Sequence, residues 1–194
     1  MLITKTFAVG VLATNCYVVN NKETLQAAVI DPGFDDQGEA DEIMNFIRSN
    51  GLQIKFIVNT HGHPDHTCGN AVLKDKFHVP ICIHKYDAYM LGESGRETTQ
   101  YFGYSSFSPS PDILLSDGDI IKIGDLTLNI IHTPGHTFGS TSLLGETEVF
   151  TGDALFAGSI GRTDFPGSSD IQMQATLRKR ALWTEDYDSK GEAN

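Results

Sequence analysis

The sequence predicts an α/β fold built on two β-sheets, and three observations carry that reading. A strand-to-helix-to-strand passage runs from Leu25 to Val58, a second group of short strands begins at Ile113, and ligand-type side chains stand at strand ends in both halves. A length of 194 residues fits one domain spanning residues 1–194, which can bury about 70% of its unfolded surface without a covalent staple.

Local pattern supplies the elements in order. Leu2 to Val19 holds two strand-like runs separated by Gly10 to Asn15, and Leu25 to Ile30 gives a third, closed by Asp31-Pro32-Gly33. Asp36 with Glu39 three residues on has the form of a capping box. Ala40, Ile43, Met44 and Ile47 then recur at helical spacing until Gly51. Ile54 to Val58 reads as a buried strand; a short helix at Asn70 to Lys76, a strand at Pro80 to His84 and a helix near Tyr86 to Leu91 follow. Ser94 to Pro111, rich in Gly, Ser, Pro and aromatics, reads as a long loop whose Tyr101, Phe102 or Tyr104 would wall a substrate entrance. Beyond it, Ile113 to Leu115, Ile120 to Ile123 and Leu126 to Ile131 open a second sheet, which Ser140 to Leu144 and Thr147 to Thr151 extend. A helix over Asp170 to Arg180 precedes an acidic, atypical polar tail at 181–194.

Composition excludes several classes of function. With 40% hydrophobic and 20% charged residues the chain is an ordinary globular one. Its net charge of -11 argues against nucleic acid or an anionic membrane as partner, since both demand a basic footprint. Cys16, Cys68 and Cys82 are odd in number and without paired spacing, so the reading is buried thiols in a reducing, cytoplasmic compartment. The apolar run Phe7 to Ala13 is short and strand-like, and it reads as neither a membrane span nor a leader.

Chemistry concentrates in Asn59-Thr60-His61-Gly62-His63-Pro64-Asp65-His66, where four metal-binding side chains occupy six positions after a strand. In extended backbone, residues two apart share a side, so His61 and His63 can reach one ion. Pro64 denies a helical continuation from the strand, and Asp65 and His66 can then face a second, neighbouring ion. Two metals are expected from that spacing. A later strand ends in His132-Thr133-Pro134-Gly135-His136-Thr137, and another delivers Gly152-Asp153. A single histidine is more often structural than ligating, but the matching topological positions make His136 and Asp153 candidates. His132 fits a supporting place behind the ligands, whereas His78 and His84 have no such context.

Together, Thr60 to His66, Thr133 to Thr137 and Thr151-Gly152-Asp153 resemble the metallo-β-lactamase-fold hydrolases, and within them a short glyoxalase II, the hydroxyacylglutathione hydrolase group. The likeness extends to Asn15-Cys16-Tyr17 and Ile30 to Gly33, and reaches about Lys179. It implies an αββα sandwich, two sheets face to face with helices outside, and a dinuclear site at one edge. By that resemblance His61, His63 and His136 would hold the first ion, Asp65 and His66 the second, and Asp153 would bridge them. The implied reaction is hydrolysis of a small-molecule thioester by a metal-bound hydroxide that Asp65 also orients. Many β-lactamases of the fold carry cysteine at a second-site position where this sequence has Asp153, which leans away from antibiotic hydrolysis. Arg162, in Gly161-Arg162-Thr163-Asp164, falls where glyoxalase II has a basic residue for the glutathione carboxylate.

Zinc is the first expectation for the metal, although these ligand types suit iron and manganese as well. One rival is a mono-iron persulfide dioxygenase that shares the Gly-Arg-Thr-Asp stretch. Another is an impaired or binding-only relative, because the late histidine segment that completes the second site in related enzymes has no counterpart after His136. Lacking the closing strand of its relatives, the chain is also expected to expose a sheet edge and to self-associate.

Overall fold

Neighbouring residues on a strand point to opposite faces, so the complete burial of both Val18 and Val19 means that their sheet is covered on two sides. The structure, a computed structural model, describes residues 1–180 and 188–190. Its first sheet holds β1 (Leu2–Val9), β2 (Thr14–Asn21), β3 (Gln26–Ile30), β4 (Gln53–Val58), β5 (Ile81–His84) and β6 (Ile113–Leu115), in that spatial order. The second holds β7 (Ile120–Ile123), β8 (Leu126–His132), β9 (Thr141–Leu144), β10 (Glu148–Phe150) and β11 (Asp188–Lys190), ordered β11-β10-β9-β8-β7.

One face of the first sheet, carrying Cys16, Val18, Ala27, Val29 and Ile57, packs under α1 (Gln37–Ser49) through Ala40, Ile43 and Ile47. The opposite face, with Tyr17, Val19, Ala28, Ile30 and Val58, meets Ile121, Ile123, Leu128, Ile130, Leu143 and Phe150 of the second sheet. Strands buried on both faces lose polar alternation and become continuous apolar runs, as in Ala27-Ala28-Val29-Ile30. The remaining helices are α2 (Pro64–Thr67), α3 (Asn70–Phe77), α4 (Arg96–Tyr101) and α5 (Asp170–Arg180). The result is the α/β sandwich of two sheets flanked by helices that the resemblance implied.

Several local expectations are corrected. Ile113 to Leu115 closes the first sheet, pairing parallel with β5, and the second sheet starts at Ile120. The turn at Ser116 to Asp119 is therefore a crossing between sheets, fixed by Gly118 and Ile130 through their main-chain bonds. Asp36 does cap α1, accepting from the N–H groups of Gly38 and Glu39. Glu39 makes no reciprocal bond to the cap; both its carboxylate oxygens take the Gly10 N–H at 3.0 Å instead.

Pro64 does not stop a helix but begins one, at the first position of α2, where its missing N–H costs nothing. The helix expected near Tyr86 to Leu91 shrinks to a single 3-10 turn at Ala88–Met90, after which Leu91 is extended. The span Ser94 to Pro111 contains α4, and only its second half is irregular. Residues 181–187 and 191–194 of the polar tail lie outside the described residues. Asp188–Lys190 pairs parallel with β10, so the edge expected to stand bare carries a short strand.

Candidate metal centre

The C-terminal ends of β3, β4, β8 and β10 meet at one edge of the sandwich. Thr141, at the start of β9, gives its N–H to the Thr60 carbonyl at 2.8 Å and its hydroxyl to the same oxygen at 3.0 Å. That carbonyl clamps the loop after β4 against the second sheet.

Within this edge Nε2 of His61 lies 3.1 Å from Nδ1 of His63, which lies 2.8 Å from Nε2 of His136. All three side chains are buried. Ligands at the usual zinc–nitrogen distance and tetrahedral angle stand about 3.3 Å apart, so three imidazole nitrogens turned toward one point at this separation fit a metal's first coordination sphere. The outer nitrogens of His61 and His136 are held. Nδ1 of His61 faces the Thr60 hydroxyl at 3.2 Å, and Nδ1–H of His136 donates to the Arg162 carbonyl at 2.8 Å. Such outer bonds fix the tautomer and aim the lone pair inward.

A second group combines His61, His66 and Asp153, with all ligand atoms within 4.8 Å of one another. Asp153 spans both groups: Oδ1 is 3.1 Å from Nε2 of His66 and Oδ2 is 3.2 Å from Nε2 of His136. Asp65 joins the second group through Oδ2, 3.4 Å from Nε2 of His66 and the same distance from the Thr14 hydroxyl. His61, His63, Asp65, His66, His136 and Asp153 are thus all drawn to one place. Beyond the expected division, His61 stands close enough to serve either group.

Two buried carboxylates frame these loops. Asp31, at the end of β3, accepts the Thr60 N–H and hydroxyl at 2.7 Å each and lies 3.1 Å from Nδ1 of His66. Asp87 accepts from the Gly62 N–H at 3.1 Å and from the Thr137 hydroxyl and Gly139 N–H at 2.6 Å each. It thereby ties the loop after β4 to the loop after β8. Asp31-Pro32-Gly33 looked only like a strand end with a family likeness, and Asp87 gave no signal at all, because neither stands at ligand spacing in the sequence.

Residues 9–188 match the metallo-beta-lactamase superfamily. The chain belongs to that superfamily. It is 36% identical over 176 residues to a hydroxyacylglutathione hydrolase, GloC, of Haemophilus influenzae, an alignment covering 87% of this chain and 79% of that one. Among solved structures it is similar to the BLEG-1 B3 metallo-beta-lactamase, with a TM-score of 0.86 and 28% identity over 99% of this chain and 92% of that one. It is similar also to TTHA1623 in a di-iron-bound form, with a TM-score of 0.84 and 26% identity over 98% and 92%.

Burial sets the electrostatics of this superfamily site. It pushes the His61 imidazole well below its ordinary pKa and His63 down to about 3, with the neighbouring histidines adding to both shifts. Neutral imidazole is the ligating form. Burial opposes a proton on His66 too, but Asp65, Asp31 and Asp153 overcome it and raise that pKa well above the usual value. Desolvation likewise works against the Asp153 carboxylate, yet His66, His136 and His63 hold its pKa low. The edge is a paired set of acceptors and cations that a divalent ion can take over.

Arg162 and His132 stand outside the cluster. The Arg162 guanidinium is exposed, gives two N–H groups to Asp164 at 2.9 and 2.8 Å and stacks 4.3 Å over Phe165. Its main chain, not its charge, touches the site through His136. His132 bonds the Phe138 carbonyl at 2.8 Å and stacks on His84, rings 4.3 Å apart and 8° from parallel. His84 itself is buried. Tyr101 and Phe102 border a cleft beside His63, whereas Tyr104 is buried. No helix among the described residues is long and apolar enough to cross a membrane.

Proposed function

We propose that the chain is a metal-dependent hydrolase acting on thioesters in the manner of glyoxalase II. The observation that carries the reading is the convergence of His61, His63 and His136, with Asp153 reaching from His136 to His66. His61, His63 and His136 would hold one ion, Asp65 and His66 a neighbouring one, and Asp153 would touch both. Zinc is our choice of metal, in one or two copies. Zinc bound there would supply a water of lowered pKa and polarise a carbonyl oxygen.

The chain's own residues do the rest. Asp65, one-seventh exposed at the rim and held by the Thr14 hydroxyl, is the carboxylate placed to orient that water and accept its proton. Asp31 and the Arg162 carbonyl keep His66 and His136 aimed inward. A thiolate is a stable leaving group near neutral pH, so its departure needs no strong general acid. The likeness to GloC supports the thioester class. Three buried cysteines with no disulfide support a reducing, cytoplasmic setting.

Hydrolysis of lactoylglutathione and of N-acetylcysteamine thioesters by zinc-loaded protein tests the reading, with oxygen uptake on glutathione persulfide measured beside it. Thioester turnover that disappears in His136→Ala is the expected result. Oxygen uptake without thioester turnover would replace it with the dioxygenase reading.

A further inference from the structure

A cleft of about 650 Å³ opens beside His63, bordered by Tyr89, Met90, Glu97, Tyr101, Phe102 and Phe165. The Phe165 ring centre lies 5.7 Å from that of His63 and 6.4 Å from that of His136. Phe102 stands 5.9 Å from Phe165 and almost perpendicular to it, at 87°. The cleft thus begins where the metal cluster ends. Tyr101 is 86% and Phe102 41% exposed, next to a half-exposed Tyr89. Contiguous exposed aromatics beside a polar cluster mark a surface built to be covered.

Charge decides what covers it. Among the described residues, Glu97 is the only side chain with a full charge lining the cleft. Two arginines adjoin the lining without belonging to it: Arg162 pairs with Asp164 and stacks on the Phe165 face, and Arg96, next to Glu97 in the chain, pairs with Glu93 at 3.1 Å and lies 4.2 Å over the Phe107 face. A glutathionyl group brings two carboxylates, which need cationic or N–H partners to leave water. Among the described residues the side chains lining the cleft include hydroxyls, such as those of Thr98 and Tyr101, but no lysine or arginine to neutralise them.

Resting on the hydrolase reading, we infer that this cleft takes the acyl half of the substrate and selects an uncharged apolar acyl group, aromatic or of about six carbons, over small or anionic ones. A cleft of this size is in the range that encloses a small organic ligand. Each added methylene buried against Phe102 and Phe165 is worth several-fold in specificity. Glu97 in the lining repels carboxylates, so the thiol half is neutral or stays in solvent.

Two readouts test this in the zinc-loaded protein. The first compares kcat/KM for acetyl, hexanoyl and phenylacetyl thioesters of N-acetylcysteamine and of glutathione. We expect phenylacetyl to exceed acetyl by roughly tenfold or more, the gain to vanish in the Phe102→Ala, Phe165→Ala double variant, and Glu97→Gln to favour glutathione thioesters. The second is calorimetric binding of 1-phenylbutan-2-one, an uncleavable ketone with methylene in place of sulfur. We expect saturable binding that the double variant loses, both phenylalanines being partly exposed and so dispensable for folding.

A flat acyl preference, or ketone binding indifferent to the double variant, overturns the inference and leaves the hydrolase reading standing. Ketone binding that the variant abolishes, with no thioester cleaved, overturns the hydrolase reading and keeps the apolar cleft. A dimer that buries Tyr101 and excludes the ketone also overturns the inference.

Discussion

Oδ2 of Asp31 lies 3.1 Å from Nδ1 of His66, so a carboxylate at the end of one strand fixes which ring nitrogen of a histidine in α2 faces Asp153. Asp31 also holds the Thr60 N–H and hydroxyl, which makes it a positioning group for the whole loop after β4. Asp31→Asn keeps the shape but offers an amide where an acceptor is needed. We predict that zinc binds this variant about 10- to 100-fold more weakly, measured by competition with a chromogenic chelator.

His61→Ala and His136→Ala would each remove a proposed ligand without removing core. Both rings lie beyond the two apolar clusters that hold the sheets together. Each variant is expected to retain its circular dichroism spectrum and to lose hydrolysis by about three orders of magnitude, the scale of several kcal/mol of charge stabilisation. Full activity in either would remove the metal reading.

Gly33 has no room for a side chain. A Cβ there would sit 1.5 Å from the Asp65 carbonyl oxygen and 2.5 Å from its carbonyl carbon. Gly33→Ala must therefore displace the backbone of Asp65. We predict weaker occupancy of the second metal position with the first unaffected, read as a drop from two bound zinc ions to one by elemental analysis.

Acid should weaken the metal-free protein through a histidine away from the ligands. Burial, with His132 and Lys85 adding to it, lowers the His84 pKa to about 4, below the ordinary value of about 6.5. The unfolded chain then binds the proton more readily, so the stability tied to neutral His84 is complete above pH 6.5 and is lost as pH falls toward 4. His84→Gln is expected to show a shallower fall in melting temperature across that window than the wild type. Parallel profiles would assign the acid sensitivity to other groups.

The sandwich and the cluster at its edge were legible because each rests on local pattern: apolar runs for strands covered on both faces, and ligand types at strand ends. What escaped were relationships between distant residues. Ile113 to Leu115 shows the same apolar pattern whichever sheet it joins, and only its pairing with β5 assigns it. Asp87 reaches Gly62 and Thr137 across 25 and 50 residues, a link no spacing rule contains. Glu39 completed a capping pattern on paper, yet the nearby Gly10 N–H claimed it. Arg162 drew attention as a charge, while its carbonyl is what meets His136.

The most direct measurement is the rate of thioester hydrolysis as zinc is added to the metal-free 194-residue chain, for wild type and His136→Ala. Three imidazoles would serve the first position, whereas the second, among the described residues, would draw on His66, Asp65 and the shared Asp153, with His61 close to both. We expect no turnover without metal, a rate that climbs with a tightly held first equivalent and a more weakly held second, and none in His136→Ala at the same zinc. Turnover independent of zinc, or zinc-saturated wild type that cleaves no thioester, would contradict the hydrolase reading.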